Sequence, residues 1–283
     1  MYEAFYHLRV KPFQLSPDPR FFFSSKGHKR AMAYLEYGVQ QGEGFIVITG
    51  EIGAGKTMLA RTLAHKLESQ NNVVLAQVVS TQLEADDMLR TVAAAFGLPD
   101  ETNKSVSLRK LEQRLLGIHA QGKRALLMVD EAQNIPPRSV EELRMLSNFQ
   151  SAEKPLLQSF LLGQPEFRRT LQDPSMEQLR QRIIASCHLG PLDATETEAY
   201  IVHRLQTAGW RGDPSFGPDA FAAIHRYSGG IPRKINVLCD RLLLLGRLDK
   251  KHEFVGKEVA EVVDELQQEF APQMLQATQA GAG

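Results

Sequence analysis

Apolar residues in the first two thirds of the chain fall into short β-branched runs separated by stretches of helical period. The runs are Phe45 to Gly50, Asn72 to Ser80, Ala125 to Asp130, Leu156 to Gly163 and Ser186 to Leu189, and each reads as a strand. Between them, Met58 to Leu67 and Ala85 to Phe96 repeat like helices, the second stopping at Gly97 and Pro99. Ser107 to Gln121, with Leu108, Leu111, Leu115 and Leu116, and Val140 to Phe149 repeat likewise. Strand alternating with helix predicts a parallel, three-layer α/β sheet of five strands. From Asp193 the strands stop. Thr195 to Ala208, Pro218 to Tyr227, Pro232 to Leu248 and Gly256 to Phe270 all read as helices, so a boundary is expected near Leu192. The expected divisions are an N-terminal arm and helix over 1–44, an α/β core over 45–192, a helical domain over 193–270, and a disordered tail of small and polar residues over 271–283.

The first strand runs into Gly50-Glu51-Ile52-Gly53-Ala54-Gly55-Lys56-Thr57, a complete G-x-x-x-x-G-K-[ST] phosphate-binding loop, and a helix follows at Met58. The glycines let the backbone curl so that successive N–H groups face phosphate oxygens, and the helix N-terminus adds partial positive charge. Lys56 is the candidate for the β- and γ-phosphates, and the Thr57 hydroxyl for Mg²⁺. These features make ATP and Mg²⁺ the expected ligands.

The third strand ends in Asp130-Glu131. Adjacent carboxylates at a buried strand end are costly unless a cation or a reaction needs them. Asp130 is the metal candidate, and Glu131 the base that polarises the attacking water. The fourth strand ends before Gln164, which could sense the γ-phosphate or orient the water. Arg180 and Arg182 precede the fifth strand at a spacing that cannot aim both the same way from a helix. Either could reach a neighbouring subunit's site as an arginine finger, with Arg182 slightly preferred. Arg233 follows Gly229, Gly230 and Pro232 into the first turn of a helix, where the dipole disfavours a cation. Such a placement points to a nearby anion, the γ-phosphate. In the N-terminal segment, Pro12, Pro17 and Pro19 enforce extension, and Phe13, Phe21, Phe22 and Phe23 could cover an adenine or staple the arm down.

Lys+Arg and Asp+Glu both number 33, so overall charge carries no sign of polyanion binding. Cys187 and Cys239 lack metal spacing and read as buried thiols in a reducing compartment. The N-terminus has no signal-peptide core, and no apolar run approaches the ~18 residues that a membrane helix needs.

Taken in order, GEIGAGKT, LLMVDEAQ, LLGQPEF, LRQRI and GGIPRKIN resemble the AAA+ ATPases of the general secretion pathway A type. The resemblance covers about Met1 to Phe270 and is especially specific in the opening YEAFYHLRVKPFQLSPDPRFFFSSKGHKRAMAYLEYGV. Within that family the sequence is most like the ATPase of exosortase-type polysaccharide-export systems in Gram-negative bacteria. The resemblance implies an ASCE-type core with a helical lid. It implies hydrolysis of ATP with Mg²⁺ in a homo-oligomer, either a ring, expected to be a hexamer, or a helical filament. It assigns Gln164 as the sensor on strand four and Arg233 as the second sensor on the lid, and has the N-terminal segment enclose the base. It also implies a cytoplasmic protein, peripheral at the inner membrane, with secretion or polysaccharide-export membrane proteins as partners. Many members continue into a transmembrane helix and a peptidoglycan-binding domain. This sequence stops at Gly283, so the resemblance does not carry cell-wall contact to it.

Two other functions compete. The same AAA+ branch resembles transposition target selectors, which form ATP-dependent filaments on duplex DNA, and Lys104, Arg109, Lys110 and Arg114 could line up on one helix. The chain has no helix-turn-helix, zinc ligands or excess positive charge, so DNA is the less favoured partner. A non-hydrolysing, nucleotide-switched scaffold is opposed by the intact Glu131.

Overall fold

The computed structural model describes residues 2–70, 72–79, 85–152 and 154–270. They form two compact units, one from Pro17 to Pro191 and one joining the N-terminal segment up to Ser16 to the chain from Leu192 onward. Ser80, at the end of the expected second strand, and the expected disordered tail lie outside the described residues.

The first unit is a parallel sheet of β1 (Phe45–Gly50), β2 (Val73–Val79), β3 (Arg124–Asp130), β4 (Leu157–Gly163) and β5 (Ile183–Leu189), in the order β2-β3-β4-β1-β5. Val47 lies beside Leu161, and Leu161 beside Val129, so β4 sits between the strand that enters the phosphate loop and the strand that ends in Asp130. Helices cover both faces, which is why the central strands are continuous apolar runs. Phe45, Val47, Leu127, Val129 and Leu161 pack on one face with the helices Ala85–Ala95, Lys104–Ala120 and Pro137–Leu146. Ile46, Ile48, Leu126, Met128, Phe160 and Leu162 pack on the other with Lys26–Gln41 and Lys56–Gln70. Alternation of period two within each strand divides the two cores.

Several element ends move for local reasons. The helix Lys104–Ala120 starts before the expected Ser107 because the Asn103 side chain accepts from the N–H groups of Ser105 and Val106. The helix expected at Val140 starts at Pro137, a residue suited to a first turn, and ends at Leu146. β5 starts at Ile183, three residues before Ser186.

The second unit contains the helices Ala194–Thr207, Pro218–Ser228, Pro232–Leu248 and Gly256–Phe270. The first has a full capping box, Asp193 with Glu196. Ser215–Phe216 and Glu253–Phe254 pair as a two-residue parallel ladder, so strands do not stop entirely at Asp193. Residues 2–16 belong to this unit instead of forming one arm with 17–44. Their aromatic side chains and their carbonyls explain it. Tyr2, Tyr6 and Phe13 are buried. Tyr2 Oη donates to Asp240, and Tyr6 Oη to the Lys251 carbonyl at 2.9 Å. Burial pushes both phenols above their usual range, Tyr2 further because Asp240 stands beside it. Arg204, 4% exposed, donates to the carbonyls of Pro12 and Gln14 and to Tyr200 Oη.

Arg204→Ala would take this donor from both carbonyls, the one at Pro12 buried. A loss of about 3 kcal/mol in unfolding free energy is expected, read as a lower urea midpoint. An unchanged midpoint would mean that the N-terminal segment docks without this side chain. Among the described residues, no helix is long and apolar enough to cross a membrane.

Candidate nucleotide site

The phosphate loop leaves β1 at Gly50, and its helix begins at Lys56. Gly53 and Gly55 hold φ of 81° and 100°, the left-handed region that turns successive N–H groups into one concavity. A side chain at Gly55 would be strained by that φ, and its Cβ would lie 2.6 Å from His28 Nε2. Ala54 is buried, whereas Glu51 and Ile52 are exposed at the loop's tip and Met58 is half-buried in the first turn.

Lys56 is 6% exposed and donates to the carbonyls of Gly50, at 2.7 Å, and Glu51, at 3.0 Å. Burial pulls its ammonium below the usual lysine range, while Glu131, Asp130, Glu51 and Glu166 act in the opposite direction. The side chain is thus folded back onto its own loop, a cation held in a site of low dielectric. Thr57 Oγ1 donates to Asp130 Oδ2 at 2.7 Å. A hydroxyl and a carboxylate brought together from two elements are the hard oxygen donors that Mg²⁺ takes, so the residues present fit ATP with its metal.

Glu131 adopts φ 55° and ψ 41°, unusual for a residue with a side chain. Its backbone N–H donates to Asp130 Oδ1 at 2.9 Å. Its Oε2 accepts from Gln133 Nε2 at 2.6 Å and from Gln164 Nε2 at 3.2 Å. The structure therefore brings together Lys56, Thr57, Asp130, Glu131 and Gln164. Gln133 was not singled out in the sequence. Its signal was only its place two residues after Glu131.

Arg180 ends a short helix and donates to the carbonyls of Leu171 and Asp173, both at 2.6 Å. Arg182, beyond that helix, donates to Ser147 Oγ at 2.6 Å. Arg233 is exposed in the first turn of its helix. Phe13 is 1% exposed within the helical unit, so its ring is core and offers no open face to a base. Cys239 is buried, and that burial pushes its thiol above the usual range. Cys187 is only half-buried and lines a cleft of about 380 Å³ with Thr49, Arg168, Arg180 and His188, which corrects its reading as a core residue. Most of the cations that could have lined up for DNA have partners. Lys104 pairs with Glu142 at 2.7 Å, Lys110 with Glu101, and Arg114 donates to the Phe96 carbonyl.

The sheet order and the phosphate loop facing a strand-end Asp-Glu pair define a class, and the chain has the AAA P-loop fold. A family model described as an AAA domain matches residues 39–171. The fold is similar to that of Aeropyrum pernix ORC2 in its ADPNP-ADP complexes, with TM-score 0.66 and 16% identity over 90% of this chain and 71% of that one. It is similar also to Cdc6p from Pyrobaculum aerophilum, with TM-score 0.68 and 14% identity over 90% and 70%. Within the class, the chain is related to general secretion pathway protein A. It is 40% identical to that protein from Aeromonas hydrophila over 262 residues, 92% of this chain and 47% of the relative. The chain thus spans about half the length of the curated relative it matches.

Proposed function

We propose that this protein binds and hydrolyses ATP with Mg²⁺ in a homo-oligomer, and that the cycle powers or switches an envelope secretion or exopolysaccharide-export system. The observation that carries the hydrolytic reading is the 2.7 Å contact of Thr57 with Asp130 beside a Glu131 held by two side-chain amides. A nucleotide-holding scaffold needs the first feature and has no use for the second. In this reading the loop N–H groups and Lys56 hold the β- and γ-phosphates. Thr57 and Asp130 hold Mg²⁺, which supplies neutralising charge to the phosphate oxygens. Glu131 takes the proton of a water whose oxygen bonds to the γ-phosphorus as the bond to the bridging oxygen of ADP breaks. Gln164 senses the γ-phosphate from the end of β4. Arg182, or Arg180 in its place, completes a neighbour's site in trans, and Arg233 acts from the lid.

The secretion role is supported by the relative's name, and in this reading the protein acts in the cytoplasm, docked at the inner membrane through partner proteins. Turnover per subunit, measured across protein concentrations with and without duplex DNA, tests the reading. A rate that rises with concentration and ignores DNA is expected. DNA-dependent turnover would favour the transposition-type regulator, and none under any condition would favour the scaffold.

A further inference from the structure

Gln133 has no role in the chemical steps above beyond its contact with Glu131, yet both ends of its amide are engaged. Nε2 donates to Glu131 Oε2 at 2.6 Å, and Oε1 accepts the backbone N–H of Gln164 at 2.9 Å. The Gln164 side chain closes the triangle by donating to the same Glu131 oxygen at 3.2 Å. Gln133 rides on the one-turn helix Ala132–Asn134 that follows Glu131, and Gln164 caps the helix Pro165–Gln172. One side chain thereby ties the end of β3 to the end of β4.

We propose that Gln133 is a positioning residue for ATP hydrolysis, holding the Glu131 carboxylate against the end of β4 so that its second oxygen is aimed at the attacking water. The inference rests on the proposed ATPase activity. Glu131 needs such a clamp. A left-handed backbone at the end of a strand costs ~1–2 kcal/mol and persists only where its surroundings hold it. Two amide donors on one carboxylate oxygen fix the rotamer and leave Oε1 without any of these three bonds. The task demands a donor and an acceptor on one side chain, about a glutamine's length from the main chain. Asparagine is one methylene short, and glutamate would set a second carboxylate against the first. The clamp also explains how Gln164 could act twice, touching both a γ-phosphate and the base: any shift of the β4 end moves Glu131 through Gln133.

The test is a double-mutant cycle on turnover at saturating ATP, with binding of an ATP analogue and thermal melting followed alongside. Gln133→Met keeps the volume and removes the amide. It is expected to lower kcat by about 10–100-fold, with Kd and Tm near native. In a Glu131→Gln background, Gln133→Met should add little, because the group it positions is already inactive. Gln133→Glu, which keeps the length and brings a charge, should fall at least as far as Gln133→Met. The clamp is overturned if Gln133→Met turns over like the native protein. It is overturned also if the loss multiplies equally in both backgrounds, or tracks Tm alone. Failure of the ATPase reading looks different: native protein and Glu131→Gln would then share the same absent turnover, and the clamp would fall with it.

Discussion

Lys56→Ala is expected to abolish nucleotide binding at concentrations that fill the native site. Lys56 is 6% exposed, and among the described residues its ammonium donates to two carbonyls of its own loop, Gly50 and Glu51. It is a desolvated cation in want of an anion, which is why its pKa falls despite four carboxylates nearby. Phosphate oxygens would supply charge-assisted hydrogen bonds worth about 1.5–3 kcal/mol each. Two such bonds amount to ~10²–10⁴-fold in affinity. Removing the lysine also withdraws the donor from the two carbonyls, so part of the loss could come from a rearranged loop. Lys56→Met keeps most of the aliphatic stem and so spares the packing, while Tm reports any rearrangement of the loop. Titration of a fluorescent ATP analogue should show both variants weakened beyond the measurable range, with little change in Tm for Lys56→Met. Native affinity in Lys56→Met would remove the ammonium from the site.

The heart of this site was legible in the sequence because its signals are local. The phosphate loop carries its glycines, lysine and threonine in eight consecutive residues, and an apolar run ending in Asp130-Glu131 is a strand end with chemistry on it. What was not legible depends on contacts distant in sequence. Arg204 reaches carbonyls at Pro12 and Gln14, some 190 positions away, and this is what places residues 2–16 with the helical unit. Phe13 illustrates the ambiguity: an aromatic ring beside a proline reads the same whether it covers a ligand or fills a core. The first three residues of β5, Ile183, Ile184 and Ala185, follow Arg180-Gln181-Arg182 directly, with no glycine or proline to mark where the strand begins. Gln133 was unremarkable as one amide in a loop. It gained meaning when β3 and β4 became neighbours and set it against a backbone N–H 31 residues away.

Glu131→Gln should separate binding from chemistry, and the local hydrogen bonds explain why it can. The glutamine that replaces Glu131 has the same length, and its amide oxygen can still accept from Gln133 Nε2 and Gln164 Nε2, the bonds that now hold the carboxylate. Asp130 keeps both its contact with Thr57 and the backbone N–H of residue 131. The phosphate loop is untouched, so Kd for ATP is expected to stay near native. What is lost is basicity, because an amide cannot take the proton of the attacking water. General-base catalysis is typically worth ~10²–10⁴-fold, and kcat is expected to fall by about that much. With ATP bound and not consumed, the assembled form should accumulate, giving a larger species by light scattering than the native protein shows once its ATP is spent. A Glu131→Gln variant that hydrolyses ATP normally would remove this carboxylate from the mechanism. A variant that no longer binds ATP would instead mean that the charge of Glu131, and not its basicity, holds the site together through Lys56.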